Sequence, residues 1–225
     1  MNNRSSQNAA EILLDIKAVT LSPEKPFVYV SGIHSPIYTD NRLLMGYPKK
    51  RAEITGYIAD VIKERGIQAE TIAGTATAGI APAAWIADRL LLPMIFVRKK
   101  LKGYGTGKLV EGIIQKGKNI VLIEDVISTG KSSLNAVDAI RNEGGTVDIC
   151  IAFFEYGFND TRDKFKEKNV TLYTLTTLDA LVDVALKKGM LKEKDKALVL
   201  SWRKDPWKWT EEAKKRFPRA EKTEY

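Results

Sequence analysis

Two adjacent acidic residues, Glu124 and Asp125, precede a short segment rich in hydroxyl groups in the stretch NIVLIEDVISTGKSS (119–133). Backbone N–H groups in a tight turn and at the start of a helix favour an anion such as phosphate. Carboxylates accept charge-assisted hydrogen bonds from neighbouring hydroxyls, which a sugar diol supplies. The pattern therefore predicts a ribose 5-phosphate site, with the phosphate in the turn and the 2′ and 3′ hydroxyls on the acids. The hydroxyl residues around Gly130 are Ser128, Thr129, Ser132 and Ser133.

Two other kinds of site share parts of this pattern. A nucleotide-triphosphate P-loop, G-x-x-x-x-G-K-[ST], requires glycine where this chain has Asp125. Two carboxylates at its mouth would repel the β and γ phosphates, so the P-loop is rejected. A buried strand followed by a capped helix is also compatible with the spacing. Two acids and four hydroxyl residues around one glycine are more than a cap needs.

Along the chain, predicted strands alternate with predicted helices, which indicates an α/β fold with a mostly parallel sheet. Ligands of such sheets bind beyond the carboxyl ends of the strands, where GTATAG, RKKLKGYG and EDVISTG fall. Two short strands, FVYVSG and SPIYTD, are predicted before this alternation begins. The predicted strands are 69–74, 93–99, 119–125, 146–156 and 170–175, and the main predicted helices are 5–19, 48–65, 78–90, 132–142 and 178–188.

A glycine-rich basic segment, RKKLKGYGTGK (98–108), follows the second of these main strands. The dinucleotide fingerprint G-x-G-x-x-G is rejected because its last glycine would fall at Lys108. The segment taken alone indicates either a solvated basic hairpin or a functional loop.

Several stretches together resemble a known family. VLIEDVISTGKSS resembles the 5-phosphoribosyl 1-diphosphate (PRPP) signature of type I phosphoribosyltransferases. FVYVSGIHSPIYTDNR, IAGTATAGIAPAAW, VRKKLKGYGTGKLVEG and SWRKDP resemble orotate phosphoribosyltransferases, especially the branch found in Gram-positive bacteria. The similarity covers about residues 8–206. It implies the type I phosphoribosyltransferase fold in a single domain, 1–225, with a small N-terminal hood (about 1–45) and a basic C-terminal tail (about 207–225).

The resemblance implies transfer of phosphoribose from PRPP to orotate, with release of pyrophosphate. The implied catalytic residues are Lys102, Glu124 and Asp125. Cationic loop residues would neutralise the leaving group, and closure of the loop would exclude water. The implied PRPP contacts are Arg98, Lys99, Lys102, Tyr104, Glu124, Asp125, Val126, Ile127, Ser128, Thr129, Gly130, Lys131 and Ser132.

Family resemblance also implies Mg²⁺ held mainly by oxygens of PRPP, with no dedicated protein ligands. It implies a homodimer in which loop 99–112 completes the neighbouring site. The loop departs from the family at Tyr104, where histidine is usual; a phenol can donate a hydrogen bond but is a poor proton carrier at pH 7.

For orotate, a planar ring with a carboxylate, the expected contacts are Ser128, Tyr38, Thr39 and Arg42. Ser128 resembles a family position that contacts orotate, whereas the other three are wall and anion contacts in SPIYTDNR. His34 is expected in an exposed turn between strands.

The net charge of +8 leaves nucleic acid, membrane surfaces and anionic small molecules open as partners. Small-molecule substrates are predicted, with no membrane partner, and nucleic acid is not expected.

The single cysteine, Cys150, lies in an apolar run and is predicted to be buried. A cytoplasmic location is expected. The alternatives are a transferase for another base and a non-catalytic PRPP sensor that binds nucleic acid.

Overall fold

The computed structural model describes residues 3–29, 31–100 and 108–217. The helices are α1 (Asn3–Asp15), α2 (Pro48–Glu64), α3 (Ile80–Leu90), α4 (Lys131–Asn142), α5 (Thr161–Glu167), α6 (Leu178–Lys187), α7 (Glu193–Lys204) and α8 (Pro206–Arg216), with a 3₁₀ helix at Asn41–Gly46. The strands are β1 (Val19–Leu21), β2 (Phe27–Val28), β3 (His34–Ser35), β4 (Ile37–Thr39), β5 (Thr71–Thr75), β6 (Met94–Val97), β7 (Val110–Glu111), β8 (Asn119–Ile127), β9 (Thr146–Glu155) and β10 (Thr171–Thr177).

The main sheet has six strands within the described residues, in the order β10-β9-β8-β5-β6-β7. All neighbours are parallel except β6 and β7, which are antiparallel. The α/β prediction with a mostly parallel sheet is confirmed. In the pairing of β5 with β8, Gly74 lies opposite Ile123. The residues that follow, Thr75 and Glu124, therefore reach the same carboxyl edge of the sheet.

Alternate residues of β8 enter two hydrophobic cores, because side chains along a strand point to opposite faces. Val121 and Ile123 pack with α1, α2, α3 and α6 on one face. Ile120 and Leu122 pack with α4 and α5 on the other. Cys150 is fully buried in this second core, as predicted. Burial on both faces accounts for the near-continuous apolar runs of the central strands.

The hood consists of two small antiparallel pairs, β1 with β4 and β2 with β3, separate from the main sheet. His34 lies in β3 and is only 8% exposed, so its predicted position in an exposed turn is wrong. Its backbone N–H donates to Thr210 Oγ1 at 3.0 Å, and its carbonyl oxygen accepts from Trp202 Nε1 at 3.0 Å. The C-terminal helices thus cover the residue that local sequence had placed in solvent.

Residues 207–216, expected in a basic tail, form most of α8. Asp205 caps this helix by accepting a hydrogen bond from the Lys208 backbone N–H at 2.9 Å, and Pro206 occupies its first turn. Trp209 and Ala213 are buried against the core. The basic residues of the last turn suit the negative end of the helix dipole. The final eight residues of the expected tail lie outside the described part of the chain.

None of the helices in the described ranges is both long enough and apolar enough to span a bilayer.

Candidate active site

Glu124 and Asp125 lie near the carboxyl end of β8 and are 4% and 8% exposed. Glu124 accepts hydrogen bonds from Ser133 Oγ at 2.9 Å and from the Asp125 backbone N–H at 3.3 Å. Burial, with the negative charge of Asp125 as a second cause, raises the pKa of Glu124 to about 8. Burial also raises the pKa of Asp125. The pair therefore favours a ligand that brings hydroxyl donors or positive charge.

The turn after β8 presents backbone N–H groups at the start of α4, next to the two carboxyls. Gly130 adopts a φ of +75°, and a Cβ at this position would lie 2.6 Å from the Phe165 ring. Glycine is therefore required both by backbone conformation and by close packing. Thr161 Oγ1 donates to the Ser128 carbonyl oxygen at 3.0 Å and fixes the turn from below. This geometry fits a phosphate.

A second turn, between β5 and α3, faces the first across the cleft. Thr75, Ala76, Thr77 and Ala78 line the cleft here. A Cβ on Gly74 would lie 2.6 Å from the Gly79 carbonyl oxygen. The backbones at the end of β5 and the start of α3 therefore approach too closely for a side chain at this position. GTATAG lies at the edge of the sheet predicted from sequence, but none of its residues was predicted to belong to the site.

The basic wall of the site is only partly described. Lys99 and Lys131 line the cleft. Arg98 faces an adjoining recess of about 540 Å³ and forms an ion pair with Glu111, with Arg98 NH1 and Glu111 Oε1 3.1 Å apart. The predicted contacts Lys102 and Tyr104 lie outside the described residues.

The hood contributes the opposite wall through Thr39, Asp40 and Arg42. The Arg42 guanidinium is bidentate on Asp40, with Nε–Oδ1 and NH2–Oδ2 distances of 2.6 and 2.9 Å. Hydrogen bonding by Arg42 lowers the pKa of Asp40. The predicted anion contact Arg42 therefore already has a carboxylate partner. Asp40 itself was not predicted as a site residue.

Tyr38 and Ile127 are placed away from the open cleft. The Tyr38 ring packs against the rings of Phe27 and Tyr29, at centroid distances of 5.5 and 6.5 Å. Ile127 is 1% exposed and belongs to the core beneath α4, so its backbone is the part that can face a ligand.

Asn41 joins the hood to the central strand and was also missed. Its Nδ2 donates to the Asp125 carbonyl oxygen at 2.7 Å, and the residue is 3% exposed. The string TDNR contains both Asp40 and Asn41, but no local pattern shows that a hood residue reaches β8.

The cleft has a volume of about 450 Å³, within the range of small-molecule sites. Of the predicted contacts, it brings together Thr39, Arg42, Lys99, Glu124, Asp125, Val126, Ser128, Thr129, Gly130, Lys131 and Ser132. Two buried carboxyls thus share one cavity with a helix N-terminus and three cationic side chains, Arg42, Lys99 and Lys131.

Comparison with known proteins agrees with this geometry. Residues 47–187 match the family described as the phosphoribosyl transferase domain. The chain is 47% identical over 203 residues to the orotate phosphoribosyltransferase of Listeria innocua, covering 90% of this chain and 97% of that protein. It is 48% identical over 204 residues to that of Enterococcus faecalis, covering 91% and 97%. The crystal structure of orotate phosphoribosyltransferase from Aeropyrum pernix is similar with a TM-score of 0.70 at 29% identity, covering 81% of this chain and 98% of that chain. The chain therefore belongs to the phosphoribosyltransferase family, among the orotate phosphoribosyltransferases.

Proposed function

We propose that this protein transfers the 5-phosphoribosyl group of PRPP to orotate, giving orotidine 5′-phosphate and pyrophosphate in pyrimidine biosynthesis. The observation that carries the proposal is the buried pair Glu124 and Asp125 near the end of β8, in the same cleft as the turn that leads into α4. The names of the relatives supply the acceptor, orotate.

The 5′-phosphate occupies the turn from Ser128 to Ser132, where backbone N–H groups and hydroxyls converge. The ribose hydroxyls donate to Glu124 and Asp125. Buried carboxyls with raised pKa values gain most from such donors, because the donors replace water that the fold has removed.

Transfer breaks the bond between ribose C1 and the pyrophosphate oxygen and forms a bond from C1 to N1 of orotate. The N1 proton leaves with pyrophosphate. The sugar becomes cationic in the transition state, and the carboxylates beneath it stabilise that charge. The lysine side chains of Lys99 and, from the loop, Lys102 neutralise the charge that grows on pyrophosphate.

The cleft suits Mg²⁺ because the side chains beside the ribose position, Glu124, Asp125, Ser132 and Thr75, offer hard oxygen donors. The ion would be carried mainly by pyrophosphate and ribose oxygens, with the two carboxyls holding the ribose. When bound, it would reduce the charge of the leaving group.

We also propose a homodimer in which loop 99–112 serves the neighbouring site. An exposed apolar patch on the 3₁₀ helix and the residue after it supports the proposal that a second subunit covers this surface. Leu43, Met45 and Tyr47 are 42%, 49% and 46% exposed there.

The direct test is formation of orotidine 5′-phosphate from orotate, PRPP and Mg²⁺, with Asp125→Asn as the matched variant. Asparagine keeps the shape of the side chain and removes its charge. We expect turnover by the wild type and a kcat on the order of 10²-fold lower in the variant. An inactive wild type would reject the function, and an unchanged variant would remove Asp125 from the mechanism.

A further inference from the structure

A second cavity, which we name the corner cavity, lies beside the cleft and has a volume of about 570 Å³. Ser128 and Thr129 line both spaces, so the phosphate-binding turn is their shared wall. The opposite wall is the junction of α7 and α8, formed by Trp202, Lys204 and Trp207 among others. A group in this cavity would adjoin the sugar position of the cleft.

The lining of the corner cavity is aromatic. Tyr156, Phe158 and Trp202 pack on one another with centroid distances between 5.4 and 5.8 Å, and form a fixed floor. Trp207, in contrast, is 60% exposed at the rim. A large exposed ring beside a fixed aromatic floor is suited to stacking on a planar heteroaromatic ligand.

The charges of the cavity favour an anionic ligand. Lys164 is paired with Asp160, with Nζ and Oδ2 2.5 Å apart, and Arg203 is paired with Asp179. Lys204 is exposed at the end of α7 and has no ion-pair partner within the part of the chain that the structure describes. Arg42, the anion contact expected from sequence, is held by Asp40. Lys204 is thus the cation best placed to accept a carboxylate here.

The junction is held in a fixed position relative to the hood. Trp202 Nε1 donates to the His34 carbonyl oxygen, and Thr210 Oγ1 accepts from the His34 N–H, each at 3.0 Å. Asp205 caps α8 directly after Lys204. These bonds on both sides keep Lys204 and Trp207 at the rim.

We propose that the corner cavity receives the acceptor base, with Trp207 over its ring and Lys204 paired with its carboxylate. Lys204 is then a specificity-determining residue, which selects a carboxylated pyrimidine over the same ring without the carboxylate. This inference rests on the proposed function, and assigns the carboxylate to α7 rather than to Arg42.

The test compares Lys204→Met with Lys208→Met, an exposed lysine one turn along α8 that does not line the cavity. Steady-state kinetics give the KM values of orotate and PRPP. Uracil, measured as a competitive inhibitor against orotate, reports the same ring without the carboxylate. We expect Lys204→Met to raise the KM of orotate about 10- to 100-fold, the loss of one charge-assisted contact.

Other results should accompany this change. The KM of PRPP and the inhibition constant of uracil should stay within about twofold of the wild-type values, and Lys204→Arg should recover most of the orotate affinity. Lys208→Met should match the wild type. Trp207→Ala should weaken orotate and uracil alike, because stacking acts on the ring.

An orotate KM for Lys204→Met within about twofold of wild type would overturn the inference, as would an equal loss for orotate, uracil and PRPP. If the KM of orotate rises in an Arg42→Met variant and not in Lys204→Met, Arg42 of the hood binds the carboxylate instead. These outcomes require an active wild type. If the proposed function is wrong, the wild type itself will not convert orotate.

Discussion

Glu124 is an acidic residue whose side chain is almost entirely removed from water. Its carboxyl is 4% exposed, accepts from Ser133, and lies next to a second buried acid. A site that binds a sugar diol gains from such a carboxyl, because the ligand supplies the donors that burial has removed. The fold without ligand is destabilised by the same arrangement whenever the carboxyl ionises.

The stability of the protein should therefore depend on pH through Glu124. Its pKa is raised from 4.5 to about 8, so folding favours the protonated form, and stability present below about pH 4.5 is lost as pH rises towards about 8. Glu124→Gln cannot ionise. We expect the free energy of unfolding of the variant to rise relative to wild type across this window, by a few kcal/mol at most.

Chemical denaturation at several pH values measures this difference. The Glu124 carboxyl accepts from the Asp125 N–H and from the Ser132 and Ser133 hydroxyls, whereas Gln has one acceptor oxygen, so the variant should start at a disadvantage of about 1 kcal/mol at low pH. The change with pH is the informative quantity. Glu212→Gln, at an exposed position of α8, is the control and should give a flat difference. An equally flat result for Glu124→Gln would contradict the raised pKa.

At the scale of elements, the site depends on how closely the turn after β8 approaches α5. Gly130→Ala should place a methyl group 2.6 Å from the Phe165 ring in a backbone conformation with φ of +75°. Gly66 is a matched control, with φ of +61° and open space around its Cβ position. We expect Gly66→Ala to lose about 1 kcal/mol of unfolding free energy and Gly130→Ala about 1–3 kcal/mol more.

The two variants should also differ in function. Gly130→Ala should raise the KM of PRPP, because its methyl group displaces the N-terminus of α4, whereas Gly66→Ala should leave it unchanged. Equal stability losses in the two variants would show that the contact with Phe165 is not limiting.

The main sheet and its helices followed from the sequence because both features are local. Apolar runs mark buried strands, and the order of Glu124, Asp125 and Gly130 marks the ligand edge. The α8 helix was missed although Asp205-Pro206 is a good start signal, because its basic residues suggested a solvated tail. His34 was misplaced because its environment comes from Trp202 and Thr210, far along the chain.

The same limit applies within the site. Asp40 and Asn41 look like turn residues, and only the fold shows that one holds Arg42 while the other reaches the Asp125 carbonyl. Distant pairings of this kind leave no periodic or motif signal.

At the scale of the whole molecule, the proposed dimer divides one site between two chains. Mixing Lys102→Ala with Asp125→Asn should restore activity, because a hybrid dimer carries one site with both residues intact. With random exchange we expect up to about a quarter of the wild-type rate. Subunits that demonstrably exchange but stay inactive would contradict the shared site.

Competition between acceptor bases shows whether this cleft transfers phosphoribose to orotate. Orotate, uracil, adenine and hypoxanthine are supplied together at equal concentration with PRPP and Mg²⁺, and the nucleotide products are separated and quantified. We expect orotidine 5′-phosphate in excess of any other product by about 100-fold or more. A purine nucleotide as the main product would contradict this expectation.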